Sequence, residues 1–294
     1  MSCTAVWEAS WSSPIGRKNR RGGLAQVLEE PMSVVLVDGN RIHYETFGRG
    51  APIVLVHGWL GSWRYWVPVM EDLAAEHRTY ALDLWGFGDS DKKHERYDVP
   101  AYVDMLAAFL HKMGISSVLL VGHTLGAAIA AELAARRPDL VSKVLAVGLP
   151  LSSDAINRKL LGAGPNDALA RLFWHRQRPY AEVERSLPKI AENTIALTIQ
   201  AVARLDLRET LEEIDVPVLT VYGDKDNVIS PDQADELEQN HYAARVIILP
   251  DAYHFPMLDD AAKFSRLLRD FAEVDGPDGL QDLTIREEWR RRTR

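Results

Sequence analysis

Cysteine is almost missing from this chain. The single one, Cys3, has no intramolecular partner, so a disulfide framework is excluded. This scarcity suits a reducing compartment, and a cytoplasmic location is the expectation. Long apolar runs are missing too. None approaches the ~20 residues that a membrane span needs, and residues 1–23 lack an apolar core of signal-peptide length. Positive charge is in deficit. A net charge of −8 argues against generic binding to nucleic acid or to an anionic membrane. No group of His, Cys, Asp and Glu has metal-ligand spacing, and His57, Asp83 and His94 do not make a metal site. No glycine-rich loop fits a nucleotide. Neither a metal nor a cofactor is expected.

What is present is an ordinary apolar fraction, in 294 residues, enough for one large α/β domain or two small ones. Residues 1–31 are polar and without period, with the basic cluster Arg17-Lys18-Asn19-Arg20-Arg21. They read as a disordered tail. Met32 stands just before the first strand as an alternative start. Val34 to Val37 and Arg41 to Phe47 read as a hairpin across Asp38-Gly39-Asn40. Ile53 to Val56 and Tyr80 to Leu82 are short apolar runs, the pattern of strands buried on both faces. Tyr102, Met105, Leu106, Phe109, Leu110 and Met113 recur at helical spacing between Pro100 and Gly114. Further strands are expected at Val118 to Val121, Lys143 to Val147, Val216 to Tyr222 and Val246 to Leu249, with a closing helix from Asp259 to Phe271. Strands alternating with helices predict a mainly parallel sheet covered on both sides.

Residues 151–213 interrupt this alternation. Their pattern is helical, broken by Gly162, Gly164, Pro165, Pro179 and Pro188. An insert at the carboxyl end of the sheet reads as a lid, because ligands of open α/β sheets bind there. The core is therefore expected at 32–150 and 214–275, and a C-terminal tail at 276–294. That tail carries five arginines around Trp289. It fits an arm for an acidic partner or an exposed helix docking Trp289, and both readings stand.

Gly122-His123-Thr124-Leu125-Gly126 carries the most information. It follows a buried strand and opens an Ala-rich helix. A glycine two places to either side of a hydroxyl residue is the pattern of a nucleophile elbow, where strand and helix pass too close for a Cβ. The turn thrusts the central side chain out at the sheet edge. The backbone N–H of Leu125, at the helix start, is a ready donor to a developing oxyanion.

Four more motifs occur in fixed order. His57-Gly58-Trp59 follows one strand, and Asp83-Leu84-Trp85-Gly86-Phe87-Gly88-Asp89-Ser90 the next. Gly223-Asp224-Lys225-Asp226 and Asp251-Ala252-Tyr253-His254-Phe255-Pro256 follow the last two. With the elbow, they resemble the α/β-hydrolase fold superfamily, in the branch of esterases, lactonases and epoxide hydrolases with a helical lid. The resemblance spans Ser33 to Glu273. It implies an eight-stranded, mainly parallel sheet with helices on both faces and an inserted lid. It puts Thr124 in the nucleophile place, Asp226 in the acid place and His254 in the base place. Asp224 is the alternative carboxylate. It makes the N–H of Trp59 the second oxyanion donor and His57 a residue that shapes the loop. A neutral hydroxyl needs an imidazole to take its proton, and that imidazole needs a carboxylate to hold its tautomer.

The elbow residue of this superfamily is normally Ser, Cys or Asp; here it is Thr. A β-branched side chain at positive φ is strained, by ~1–3 kcal/mol for such positions. Its methyl restricts χ1 and crowds a substrate carbonyl. Three functions follow from the same residues. One is an esterase-like hydrolase acting through Thr124 on a small apolar molecule. One is a non-hydrolytic enzyme, a lyase or cofactor-free oxygenase, in which His254 and Asp226 act as base. The last is a catalytically weak binder or sensor. Trp63, Trp85, Phe173 and Trp174 are candidate pocket walls, with Leu169 and Leu172 beside the last two.

Overall fold

The short apolar runs become the middle of one sheet. The computed structural model describes residues 33–92, 96–161, 180–233, 236, 237, 239 and 243–283. Eight strands stand in the order β1-β2-β4-β3-β5-β6-β7-β8. They are β1 Val34–Val37, β2 Asn40–Gly48, β3 Ala51–Val56, β4 His77–Leu82, β5 Val118–His123, β6 Val141–Val147, β7 Val218–Gly223 and β8 Ala244–Leu249. β2 runs antiparallel to both β1 and β4; every other neighbouring pair is parallel. The expected hairpin is a two-residue turn: Val37 pairs with Asn40 across Asp38 (φ 49°) and Gly39 (φ 80°). Two successive positive φ values suit the twist of the strands it joins.

Sequence order reverses direction at β3. The chain goes outward from β3 to β4, then crosses back to place β5 on the other side of β3. A switch point of this kind opens a crevice at the strand carboxyl ends, and ligands bind there. The crevice is bounded by the loops after β3 and β5, whose strands pair with Val56 opposite Gly122. His57-Gly58-Trp59 and the elbow are therefore neighbours by topology.

Helix α3, Leu125–Arg136, fills the middle of one face. All residues from Leu125 to Ala134 are buried, because the helix packs on β5 and β6, on α2 (Val99–Lys112) and on the helix Leu207–Glu212. Its alanines permit that close packing, and a helix apolar all round is a buried one. α2 keeps its expected stripe: Tyr102, Met105, Leu106, Phe109 and Leu110 are buried. It opens on Asp98, whose carboxylate accepts the Ala101 N–H, and stops before Gly114 at φ 67°. The closing helix lies within two residues of its expected start and is preceded by a short extra turn. Pro256–Asp259 forms one turn, and Ala261–Ala272 follows, with the Asp260 carboxylate accepting the Lys263 N–H at 3.0 Å. Phe264, Leu267, Leu268 and Phe271 then bury one face.

The C-terminal boundary also moves. Residues after 276 are expected as a tail, yet Gly276–Leu280 is a short helix packed on β8 with Leu280 fully buried, and Leu283 is buried after it. Two leucines among acidic neighbours carry this packing; the arginine run around Trp289 lies outside the described residues. Within 151–213, helices occupy Arg158–Leu161, Ala181–Ser186, Thr194–Val202 and Leu207–Glu212. One isolated bridge, Ile156 to Ile229, ties the segment to the loop after β7. Leu169, Leu172, Phe173 and Trp174 lie outside the described residues, as do residues 1–32.

The elbow glycines have no room for a side chain. A Cβ on Gly122 would collide with the Gly126 carbonyl, and one on Gly126 with the carbonyls of Val56 and His57. Gly126→Ala should cost at least ~1–3 kcal/mol of overpacking, read as a lower urea midpoint at unchanged m. Gly114→Ala meets no neighbour within 4 Å and should cost only the ~1–2 kcal/mol of a left-handed Cβ. A Gly126 variant as stable as wild type would contradict this packing.

Candidate active site

Thr124 sits between β5 and α3 with φ 47° and ψ −102°. Two backbone bonds hold it there. Its N–H donates to Val147 O at 2.9 Å, and its carbonyl accepts the Ala128 N–H at 3.0 Å. The side chain is fully buried. Oγ1 makes no hydrogen bond and lies against Gly58, where an added Cβ would strike it. The methyl Cγ2 points the other way, toward Gly148: a Cβ there would lie 3.5 Å from Cγ2 and 3.8 Å from Asp226 Oδ2. The threonine and the Asp226 carboxylate therefore face the same small space.

His254 Nδ1 is 2.9 Å from Asp226 Oδ2 and 3.1 Å from Oδ1. Asp226 Oδ1 also accepts the N–H groups of Val228 (2.8 Å) and Ile229 (3.1 Å). A carboxylate that gathers three donors can only accept from His254, so Nδ1 carries the proton and Nε2 the lone pair. The pair is buried, with side-chain exposures of 0% and 2%. Asp224 is exposed, so Asp226 is the carboxylate that meets His254.

The two backbone donors named from the sequence are held by different means. Leu125 is the first residue of α3, so its N–H has no intrahelical acceptor and stands at the positive end of the helix. Trp59 N–H is aimed by its own peptide. The Gly58 carbonyl accepts from His57 Nδ1 at 2.9 Å and from the Gly61 N–H at 3.1 Å. Across a trans peptide, the Trp59 N–H must point the opposite way. His57 is itself fixed, since Nε2 accepts the Leu84 N–H at 3.0 Å. Burial lowers its pKa, against the charge of Asp83. It serves as a neutral brace.

Residues 53–267 match the model of the alpha/beta hydrolase family. The chain belongs to that family. It is 30% identical over 244 residues to a pimeloyl-[acyl-carrier protein] methyl ester esterase of Neisseria meningitidis serogroup C, covering 75% of this chain and 93% of that protein. The esterase of the same description from Aeromonas hydrophila is 27% identical over 257 residues, covering 78% and 98%. Among solved structures, an esterase from Exiguobacterium antarcticum superimposes with a TM-score of 0.71 at 21% identity, over 82% of this chain and 98% of that one. An enol-lactonase from Burkholderia xenovorans gives 0.72 at 23%, over 82% and 99%. These two carry the fold alone.

One residue beside the site of this hydrolase-family chain, Tyr180, was not legible in the sequence. Tyr180, at the start of a helix of the insert, stacks edge-on against Phe255 (5.3 Å) beside His254 and donates to Asp259. No motif surrounds it. Trp63 is half-buried, between the His43 ring (5.9 Å) and the Arg64 guanidinium (4.7 Å). Trp85 is buried, and its carbonyl accepts the Tyr102 hydroxyl at 2.8 Å. Phe173 and Trp174 lie outside the described residues.

Among the described residues, His43, Asp83 and Asp89 bring ligating atoms within 4.8 Å of one another. This is not the trio weighed from the sequence, of which His94 lies outside the described residues. Its groups are already engaged. His43 Nδ1 meets Asp83 Oδ2 at 3.1 Å, and Asp83 accepts the N–H groups of Trp63 and Asp89, both at 2.8 Å. Asp89 pairs with Arg64 (3.1 Å) and with Lys189 of the insert (2.5 Å). Burial alone would lower the pKa of His43. The Asp83 bond and the charges of Asp83, Asp89 and Glu45 outweigh it, and the pKa is raised.

Three buried histidines thus give stability opposite pH slopes. His57 and His123 have lowered pKa values, chiefly through burial, with the neighbouring His254 adding to it for His123. Their contribution is complete above the unfolded value of about 6.5 and is lost as pH falls toward their folded values. The raised pKa of His43 does the reverse: its contribution is complete below about 6.5 and is lost as pH rises through its folded value. Urea unfolding of His123→Gln should therefore show a flatter loss of stability below about pH 6.5 than wild type, and His43→Asn a flatter loss above it, each by at most ~1.4 kcal/mol per pH unit. Parallel pH curves for both variants and wild type would contradict these assignments.

Proposed function

We propose that this protein hydrolyses an ester or a similar acyl bond of a small, largely apolar substrate, with Thr124 as nucleophile. The observation that carries the reading is the buried pair of His254 and Asp226 at 2.9 Å, set beside a threonine at φ 47°. In the first step, Thr124 Oγ1 attacks the substrate carbonyl carbon while His254 Nε2 takes its proton. The carbonyl oxygen becomes an oxyanion, received by the N–H groups of Leu125 and Trp59. The C–O bond to the alcohol then breaks, and His254 returns the proton to the leaving alkoxide. Water then attacks the acyl-threonine as His254 takes its proton; the bond to Oγ1 breaks, His254 returns the proton to Oγ1, and the carboxylic acid departs. Asp226 stays ionised, holds the tautomer and stabilises the imidazolium.

The relatives described as methyl ester esterases make an acyl methyl ester the first natural substrate class to try. The insert at 151–213 is proposed as the lid over this site, setting substrate choice. It is joined to the loops after β3 and β4 through Ser62 and Ser186 (Oγ to Oγ, 2.7 Å), Lys189 and Asp89, and the Ala191 N–H to Gly86 O at 2.7 Å.

One observation favours a second reading. Thr124 Oγ1 makes no hydrogen bond and leans on Gly58. In a non-hydrolytic enzyme the same dyad would act as base on the substrate, with Thr124 only donating to it. We place nucleophilic hydrolysis first because a χ1 turn of threonine exchanges Oγ1 and Cγ2 between their wells.

Two variants check the assignment with p-nitrophenyl acetate and a methyl ester. Thr124→Ser should raise the acylation rate by about tenfold, since removing the methyl relieves strain and opens the approach to the carbonyl. Equal or lower rates in a folded Ser variant would contradict a strained threonine nucleophile. His254→Ala should lower kcat by ~100- to 10,000-fold with a melting temperature close to wild type. Near-full turnover would place the chemistry elsewhere.

A further inference from the structure

We propose that Tyr65 and His123 are positioning residues that lock the loops after β3, β5 and β8 into one arrangement, so that the base, the elbow and the Trp59 donor keep a common register. The kinetic part of this inference rests on the ester-hydrolase reading; its geometric part does not.

The three loops are far apart in sequence and meet at this site. Tyr65 lies in a turn of 3-10 helix after β3, Trp63–Trp66. Its hydroxyl oxygen accepts the Gly58 N–H at 2.6 Å. That leaves its own proton to give, and His123 Nδ1 stands 3.1 Å away. On the far side of the ring, His123 Nε2 is 2.8 Å from the backbone carbonyl of His254. A carbonyl only accepts, so Nε2 must carry the hydrogen and Nδ1 the lone pair. The two ends demand the same tautomer. The chain then runs in one sense: Gly58 N–H to Tyr65, Tyr65 O–H to His123, His123 N–H to His254.

Each link fixes something the reaction needs. Tyr65 holds the nitrogen side of Gly58, while His57 and Gly61 hold its carbonyl. With both peptides pinned, the Trp59 N–H has one direction. His123 is the residue immediately before Thr124, so its ring is an extension of the elbow. Its bond to the His254 carbonyl anchors the backbone of that residue, while Asp226 anchors the imidazole. His254 is thereby held at two points.

The network is all buried: Tyr65, His123 and His254 have no exposed surface. A fully satisfied buried network is rigid, and a half-satisfied one is costly. It works only with neutral His123. A second proton would set Nδ1–H against the Tyr65 O–H. It would also put a cation beside the His254 ring, whose centroid is 4.7 Å away. Burial pushes the His123 pKa well down, and the neighbouring His254 adds to this. The one cation formed during turnover is then the His254 imidazolium.

The test combines Tyr65→Phe, His123→Gln, His123→Leu and the double variant Tyr65→Phe with His123→Leu. Tyr65→Phe keeps the ring and removes only the hydroxyl. His123→Gln keeps a donor able to reach the His254 carbonyl. Folding is checked by thermal melts. The first readout is the imidazole ¹⁵N–¹H spectrum. We expect neutral His123 with the proton on Nε2 across about pH 5 to 8, the range in which histidine ordinarily titrates. We also expect the Asp226-held Nδ1–H of His254 to exchange at least about tenfold faster in Tyr65→Phe and His123→Leu than in wild type. The second readout is kcat against KM for p-nitrophenyl acetate. kcat should fall ~10- to 100-fold with KM nearly unchanged, as expected of lost alignment. The double variant should be no worse than the worse single one, because the residues act as a unit, and His123→Gln should recover part of the loss.

A His254 signal unchanged in both Tyr65→Phe and His123→Leu overturns the proposal. So does an effect on KM alone, or losses that simply multiply in the double variant. If wild type turns over no ester, the ester-hydrolase reading fails, and the imidazole spectra alone decide the positioning role.

Discussion

The site depends on a distance too short for a side chain. β5, the start of α3 and the end of β3 approach so closely that Gly122 and Gly126 meet backbone carbonyls where a Cβ would be. With both glycines spent on contact, the turn between them must absorb the change from strand to helix in one residue. Thr124 takes that turn at φ 47°. The strain is ~1–3 kcal/mol at such positions, and the burial of β3, β5 and α3 offsets it. The same approach brings the first N–H of α3 and the loop after β3 to one place. The position of Thr124, the free first N–H of α3 and the crevice are thus consequences of one packing contact at the sheet's switch point.

Around this contact the site is built from buried histidines with different tasks. His57 and His123 are braces kept neutral by burial, each with a tautomer set by its partners. His254 is held by Asp226 so that Nε2 faces the chemistry with its lone pair. His43 belongs to a separate network, where Asp83 and Asp89 draw Trp63, Arg64 and Lys189 together. That network ties the insert to the core by charge. Burial works against the ionised Asp89, but Lys189 and Arg64 still hold its pKa below the usual carboxylate range. Histidine chemistry in the crevice and ion pairing at its rim are therefore separable by pH and by salt.

Much of this was legible in the sequence, for a physical reason. A central strand buried on both faces must be a continuous apolar run, and Ile53 to Val56 and Val118 to Val121 are such runs. A close approach must be glycine, and Gly122 and Gly126 are. Motif loops must follow strands, which brought Thr124, Asp226 and His254 to one end of the sheet; the hydrogen bond to His254, not the sequence, chose Asp226 over Asp224. Contacts across the chain were not legible. The part played by Tyr65 was hidden because nothing in Trp63-Arg64-Tyr65-Trp66 marks a hydroxyl that reaches His123. His43 and Asp83 are far apart in sequence, so no spacing rule joins them. The extra turn Pro256–Asp259 was hidden because it is a single turn, too short to show a helical period. The end of the body was misplaced because the charge of the last residues outweighed two leucines, Leu280 and Leu283, that bury.

The methyl group of Thr124 is what separates this site from a serine elbow, and the decisive question is whether an acyl group ever rests on its oxygen. Rapid-quench mixing with p-nitrophenyl acetate, followed by intact-mass and peptide mass spectrometry, answers it. The geometry predicts a transient adduct of one acetyl group on the peptide containing Thr124, formed in step with p-nitrophenol release and absent from Thr124→Ala and His254→Ala. Steady ester turnover with no adduct, or an adduct carried by another side chain, would contradict a threonine nucleophile.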